Sequence, residues 1–236
     1  YIASQAGTTG AGDFILLQQS LGLTHQPHAL LLDPSLDNVL KPTEVYMHDW
    51  MHALFVDGVV NLVVYMVFEE FIKKGYNVYE VFSNYVAKWQ WPGRLHGSQL
   101  AAIFEKSRKD KHRKAQHIKC QASDMLSLMC VLALFVQNVL LPLNICNAEC
   151  DVFLALTDVI SLILTVARTK VPPEVLLGRV HRFLHVFVEC FGYESQIPKF
   201  HWLLHFPDCL VRFGLLLNCF CLERKHRVAK RYATEL

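Results

Sequence analysis

Between residues 47 and 67 the apolar side chains Met47, Trp50, Met51, Leu54, Phe55, Val59, Leu62, Val63, Met66 and Val67 recur at three- and four-residue spacing. Such spacing gathers side chains on one face of an α-helix, whereas a strand, with its period of two, would scatter them over both faces. The pattern predicts one long helix with a single buried stripe from about residue 46, closed at Gly75 behind Lys73 and Lys74. A second helix is predicted over 78–89, stopped by Trp91-Pro92-Gly93, and a basic helix or loop follows to about His117. Two strongly apolar helices are predicted near 118–140 and 149–168, and a third opens at Pro173-Glu174, where a proline at a helix start loses no hydrogen bond. Pro198, Pro207 and Gly214 interrupt the last part, with a short strand expected over 215–222 before a final helix from Glu223. Residues 1–45 read as loops and short elements around Gly7, Gly10, Gly12, Asp33-Pro34 and Lys41-Pro42.

A chain of 236 residues that is 53% apolar and 19% charged can bury a substantial core, and its composition leans toward a large core or membrane contact over disorder. It also raises the question of membrane spans, because residues 125–148 carry no charged side chain. Against a span, Gln137, Asn138, Pro142 and Asn144 interrupt that run, Asp158 sits in the middle of 152–167, and Asp57 and Asn61 sit in the run around 54–68. A carboxylate at mid-bilayer costs roughly 2.5 kcal/mol or more. The reading is therefore a mainly α chain without membrane partners, with a multi-pass membrane protein as an alternative. Eight cysteines are scattered without paired CxxC spacing, as reduced thiols packing in apolar helices would be, which suits a cytosolic or nuclear compartment. No secretory signal is visible, and the ends, Tyr1 and a Leu236 that falls inside a helical pattern, read as cuts through a larger protein.

A net charge of +2 identifies no partner, but its distribution is uneven. Lys106, Arg108, Lys109, Lys111, Arg113, Lys114 and Lys119 form one basic stretch, and Arg224, Lys225, Arg227, Lys230 and Arg231 another. These are the places where a polyanion would bind. Asp49 and His52, three apart, project to one helical face. The plain reading is a carboxylate at a helix N-terminus beside a partly buried histidine. Histidines four apart occur at His48/His52, His181/His185 and His201/His205, a spacing that can hold a metal, as can Cys146/Cys150, but no third or fourth ligand can be assigned. Glu223, at a predicted strand-to-helix junction beside Arg224, Lys225 and His226, is either a solvated helix end or a cation-holding carboxylate flanked by phosphate-gripping bases.

Several stretches carry a family resemblance. Asp49-x-Met51-His52 within residues 46–60 resembles the Asp-x-Met-His segment of CACTA-type (En/Spm-like) DDE transposases. Ile118-Lys119-Cys120-Gln121-Ala122-Ser123 resembles the opening of the helical insertion in such proteins. Residues 198–207 (Pro-Lys-Phe-His-Trp-Leu-Leu-His-Phe-Pro), Arg212-Phe213-Gly214 and Leu222-Glu223-Arg224-Lys225-His226 resemble the tail bearing the third catalytic acid. The resemblance implies a helical insertion attached to a partial ribonuclease-H-like α/β core: 1–45 as an irregular remainder of the core, 46–197 as the helical region, and 198–236 as the core segment with Glu223.

Glu223 would then be a catalytic, Mg2+-holding acid, with Asp49 and His52 beside it and DNA contacted by the two basic stretches. In the family the Asp-x-x-His pair lies between the second acid and the third, so Asp49 need not itself hold metal. The implied partners are DNA and a homo-oligomeric assembly, in the nucleus. Asp13, Asp33 and Asp37 are the only acids upstream that could complete the set, and none has a strand context, so these residues alone are expected to be catalytically incompetent. The alternative of another class is a domesticated or decayed remnant acting as a DNA-binding or interaction module.

Overall fold

The computed structural model describes residues 5–21, 25, 34–36 and 46–220, and the chain divides into two compact units at Tyr46/Met47. In the first, a helix α1 (Ala11–Leu21) replaces the expected irregular segment. Phe14 to Leu17 are good helix-compatible residues behind the early glycines, and Asp13 in the first turn complements the helix dipole. Asp13 thus sits on an exposed helical turn, not on a strand, while Asp33 and Asp37 fall outside the described residues.

The second unit is mainly α. The predicted long helix is in fact two, α2 (Trp50–Leu54) and α3 (Val59–Lys73), separated by a turn at 55–58. Asp57 takes a left-handed conformation there, with φ +44°. A Cβ on Gly58 would lie 2.5 Å from both the Ala53 oxygen and the Leu54 carbonyl carbon, so only glycine lets the chain turn this closely. Beyond it lie α4 (Val78–Lys88), α5 (Gly97–Ala102) and α6 (Lys106–Ala115). Next come α7 (Ala122–Phe135), α8 (Asn147–Val166) and α9 (Pro173–Phe191), close to the expected bounds. After α7 the chain widens into a π turn (Val136–Leu140) and a 3-10 turn (Leu141–Leu143), where Pro142 cannot donate to a continuing helix.

Instead of a proline-broken tail, residues 199–213 form two further helices, α10 (Lys199–Leu203) and α11 (Phe206–Phe213). Pro207 lies in the first turn of α11, where its missing N–H does no harm. The expected strand over 215–222 is absent among the described residues: 216–219 have no regular secondary structure and hydrogen-bond to the start of a helix instead of to another strand. No strand of a ribonuclease-H-like sheet occurs among the described residues.

The core is contiguous through the helical unit. Phe68 of α3 packs edge-on against Tyr79 and Phe82 of α4, at ring separations of 5.2 and 5.7 Å, and Phe104 lies 5.7 Å away. Phe187 of α9 meets Phe200 of α10 at 4.5 Å. Helix α8 packs along α9 and α3, α9 takes α11, and α10 rests on α2, which brings the end of the unit to its beginning. Two stretches, Trp50–Lys73 and Ala122–Leu143, are long and apolar enough to cross a membrane, and 67% of the apolar 18-residue window in the first and 39% of that in the second is buried in the fold.

Buried Asn61 explains how a polar residue is accommodated inside the first of these. Its Nδ2 donates to the Ile118 carbonyl at 2.9 Å, its Oδ1 accepts from the Gly58 amide at 3.4 Å, and its own carbonyl accepts from Ile118 N–H at 3.0 Å. Its side-chain amide and its main-chain carbonyl are thereby used inside the protein.

Candidate functional site

Asp49 occupies the N-cap of α2, and its Oδ1 accepts from Met51 N–H at 2.9 Å, as the plain reading of a helix-start carboxylate requires. The same oxygen also accepts from Cys219 N–H at 3.2 Å, across 170 residues of sequence. Alongside, Trp50 N–H donates to the Leu217 carbonyl at 3.1 Å. The first amides of a helix have no partner within it, so the 216–219 segment docks where an orphan donor and an anionic acceptor are both on offer. The Trp50 and Phe220 rings, 5.6 Å apart and edge to face, hold the next residue. Asp49 Oδ2 faces His52 Nδ1 in a close contact, with the Asp49 side chain 13% exposed and that of His52 38% exposed. One ligating atom each of Asp49, His52 and Cys219 lies within 4.8 Å of the others.

Next to this cluster is a histidine stack. His48 lies 4.8 Å from the His205 ring and 5.6 Å from Trp202, and His205 Nε2 is 3.0 Å from His201 Nε2. Burial, with His205 and His201 alongside, pushes the His48 imidazole down to about 4. The four-residue pairing expected at His201/His205 thus forms, while His48 stacks on His205, and His185 lies 3.5 Å from Glu189 on an exposed face of α9.

The 55–58 turn is a second junction. The Asp57 carboxylate accepts from His117 Nε2 at 2.8 Å and from Lys119 Nζ at 3.1 Å, and these partners lower its proton affinity even though burial opposes them. Half-buried Lys199 donates to the Val56 carbonyl, and burial lowers its own pKa. The three stretches around 46–61, 117–123 and 198–219, remote in sequence, therefore meet at α2, the 55–58 turn and the start of α3.

Of the expected nucleic-acid contacts, Lys106, Arg108, Lys109, Lys111, Arg113 and Lys114 lie on α6. One buried residue, His112, seats this helix. A main-chain N–H can only donate and a carbonyl only accept, so His112 is the neutral tautomer: Nε2–H donates to the Ile103 oxygen at 2.7 Å and Nδ1 accepts from Lys119 N–H at 3.0 Å. Arg113 is engaged with Glu69, at 3.0 Å, and Lys109 lies over the Tyr79 ring at 5.4 Å. Lys106, Lys111 and Lys114 are exposed and engaged in no ion pair among the described residues. Glu223, Arg224, Lys225 and Arg227 lie outside the described residues.

The described cluster does not suit Mg2+, which demands octahedral oxygen ligation. Here one carboxylate, one oxygen of which is already taken by two N–H groups, stands with an imidazole and a thiol. Cys219, Asp57 and Lys199 are the contributors that sequence spacing did not single out, because each works through a partner far along the chain. No family model, curated protein or solved structure matches this chain.

Proposed function

We propose that this chain is part of a CACTA-type DDE transposase, an enzyme that cleaves DNA at transposon ends and joins a freed 3′-hydroxyl to target DNA by in-line phosphoryl transfer. The observation that carries the reading is that three of the resembling stretches meet at the 55–58 turn, where Asp57 holds Lys119 and Lys199 binds the Val56 carbonyl. Motifs of independent origin have no reason to share one junction, whereas parts of one site do. Glu223 follows Cys219 by four positions in sequence, and it is the acid assigned to the chemistry. Asp49 and His52 orient the segment leading to it. The ribonuclease-H-like core belongs to the same proposal.

In this reading α6 contacts DNA through its outward cations, giving affinity with little sequence preference. The test is a salt series of duplex-DNA affinity for the parent and for a Lys106→Gln/Lys111→Gln/Lys114→Gln variant. Each lost phosphate contact removes about 0.9 from the log–log salt slope, so up to about 2.7 should disappear. Identical affinities at every salt concentration refute the DNA role of α6. For the chemistry, Glu223→Gln in a transposase carrying the upstream acids should abolish end cleavage with DNA binding retained, and persisting cleavage rejects the assignment.

A further inference from the structure

Asp49, His52 and Cys219 bring a carboxylate, an imidazole and a thiol to one half-buried point. Cys219 takes no part in a disulfide. Its position is fixed by main-chain bonding, Cys219 N–H to Asp49 and Trp50 N–H to Leu217, so the thiol is delivered to the pair by the docking of the whole segment. Asp49 divides its labour: Oδ1 keeps two N–H donors that fix the carboxylate, and Oδ2 faces the imidazole. An oxygen oriented in this way by hydrogen bonds to its twin is how metal-binding carboxylates are commonly held.

Among the described residues a hard ion has too few oxygens, whereas one sulfur, one nitrogen and one oxygen are donors that a zinc-class ion takes. We propose that Asp49 Oδ2, His52 Nδ1 and Cys219 Sγ bind a zinc-class divalent cation. Tetrahedral ligands at about 2.0–2.3 Å from zinc stand roughly 3.3–3.7 Å apart. The cluster, with its 4.8 Å outer limit, reaches that geometry once the Asp49–His52 contact opens and the thiol closes in. Binding converts the thiol to a thiolate and releases one proton, so affinity rises with pH. The ion would clamp the 216–219 segment onto the start of α2. The site does not depend on the transposase reading and stands or falls separately from it.

The test uses the 236-residue chain, stripped with chelator and titrated with Co2+, whose thiolate charge-transfer absorption reports sulfur ligation and whose visible bands report tetrahedral geometry. The expected result is one equivalent bound, displaced by Zn2+. Cys219→Ser should abolish the charge-transfer band and His52→Ala should weaken binding at least about tenfold, while Cys209→Ser and His201→Ala/His205→Ala leave both unchanged. Asp49→Asn keeps an oxygen for the cap and loses the anionic ligand, so weaker binding by a folded Asp49→Asn protein separates ligation from folding. Zn2+ should also raise the melting temperature of the parent and not that of Cys219→Ser. A parent without the charge-transfer band, or a Cys219→Ser protein that keeps it, overturns the assignment. So does a band that survives His52→Ala undiminished and vanishes in the His201/His205 variant.

Discussion

Replacing Asp49 by alanine removes three interactions at once. The cap to Met51 N–H, 2.9 Å long, is worth about 1 kcal/mol in typical helices. The Cys219 N–H, 3.2 Å from the carboxylate, loses a charge-assisted bond worth about 1.5–3 kcal/mol in general, taken here at its lower end because the site is half open to solvent. The His52 contact adds little, since that imidazole is 38% exposed. The sum is about 3 kcal/mol. In a unit of this size, 1 kcal/mol shifts the melting temperature by about 3 °C, so the variant should melt about 9 °C lower. Urea unfolding followed by tryptophan fluorescence reads the change directly, because Trp50 packs against Phe55 and Phe220 at the same junction. Asp49→Asn retains a cap oxygen and should keep more than half of the stability. A loss below about 1 kcal/mol for alanine, or equal losses for alanine and asparagine, refutes the reasoning.

Three other outcomes follow from single contacts. Asn61→Ala leaves the buried Ile118 carbonyl without its side-chain donor and opens space in the core, so equilibrium unfolding should show a loss of about 2–3 kcal/mol; a cost under about 0.5 kcal/mol contradicts the role given to Asn61. Gly58→Ala forces a Cβ against the Ala53 and Leu54 carbonyls and should cost about 2 kcal/mol or more by the same measurement, whereas a neutral substitution would show that the turn relaxes freely.

Acid should loosen the seat of α6. Burial holds the His112 pKa below its unfolded value of 6.5, with Arg108 and His117 acting in the same direction and the Ile103 and Glu69 oxygens opposing. A depressed group contributes stability that is complete above the unfolded pKa and lost as pH falls through the folded one. The loss below pH 6.5 should therefore approach about 1.4 kcal/mol per pH unit from this group, with a visibly flatter profile in His112→Gln. Equal slopes for the two proteins count against it.

Much of the helical layout was legible because period and punctuation agree: the 78–89 prediction lies within a residue of α4, and Pro173 opens α9 as expected. The apolar stripe hid the break between α2 and α3, because Phe55 and Val59 fit a continuous helix while the chain turns between them through Asp57-Gly58. Asp-Gly is a turn signal, and here it outranked periodicity. Pro207 read as an interruption because sequence alone does not say whether a proline ends one helix or starts another. The apolar run at 215–222 read as a strand, but the backbone of its described part found the Trp50 amide and the Asp49 carboxylate in place of a neighbouring strand. Asp49 and His52 were visible from their spacing of three. Cys219 was one thiol among eight, and only tertiary docking distinguishes it.

The central claim is that 216–219 docks on the Asp49–His52 turn, and amide hydrogen exchange at Cys219 and Trp50 tests it most directly. Both amides should exchange at least about 100-fold more slowly than in an unstructured chain, equivalent to about 2.7 kcal/mol, and Asp49→Ala should remove the protection at Cys219. Exchange of the Cys219 amide at the unprotected rate in the parent, or protection there that is indifferent to Asp49, would contradict the account.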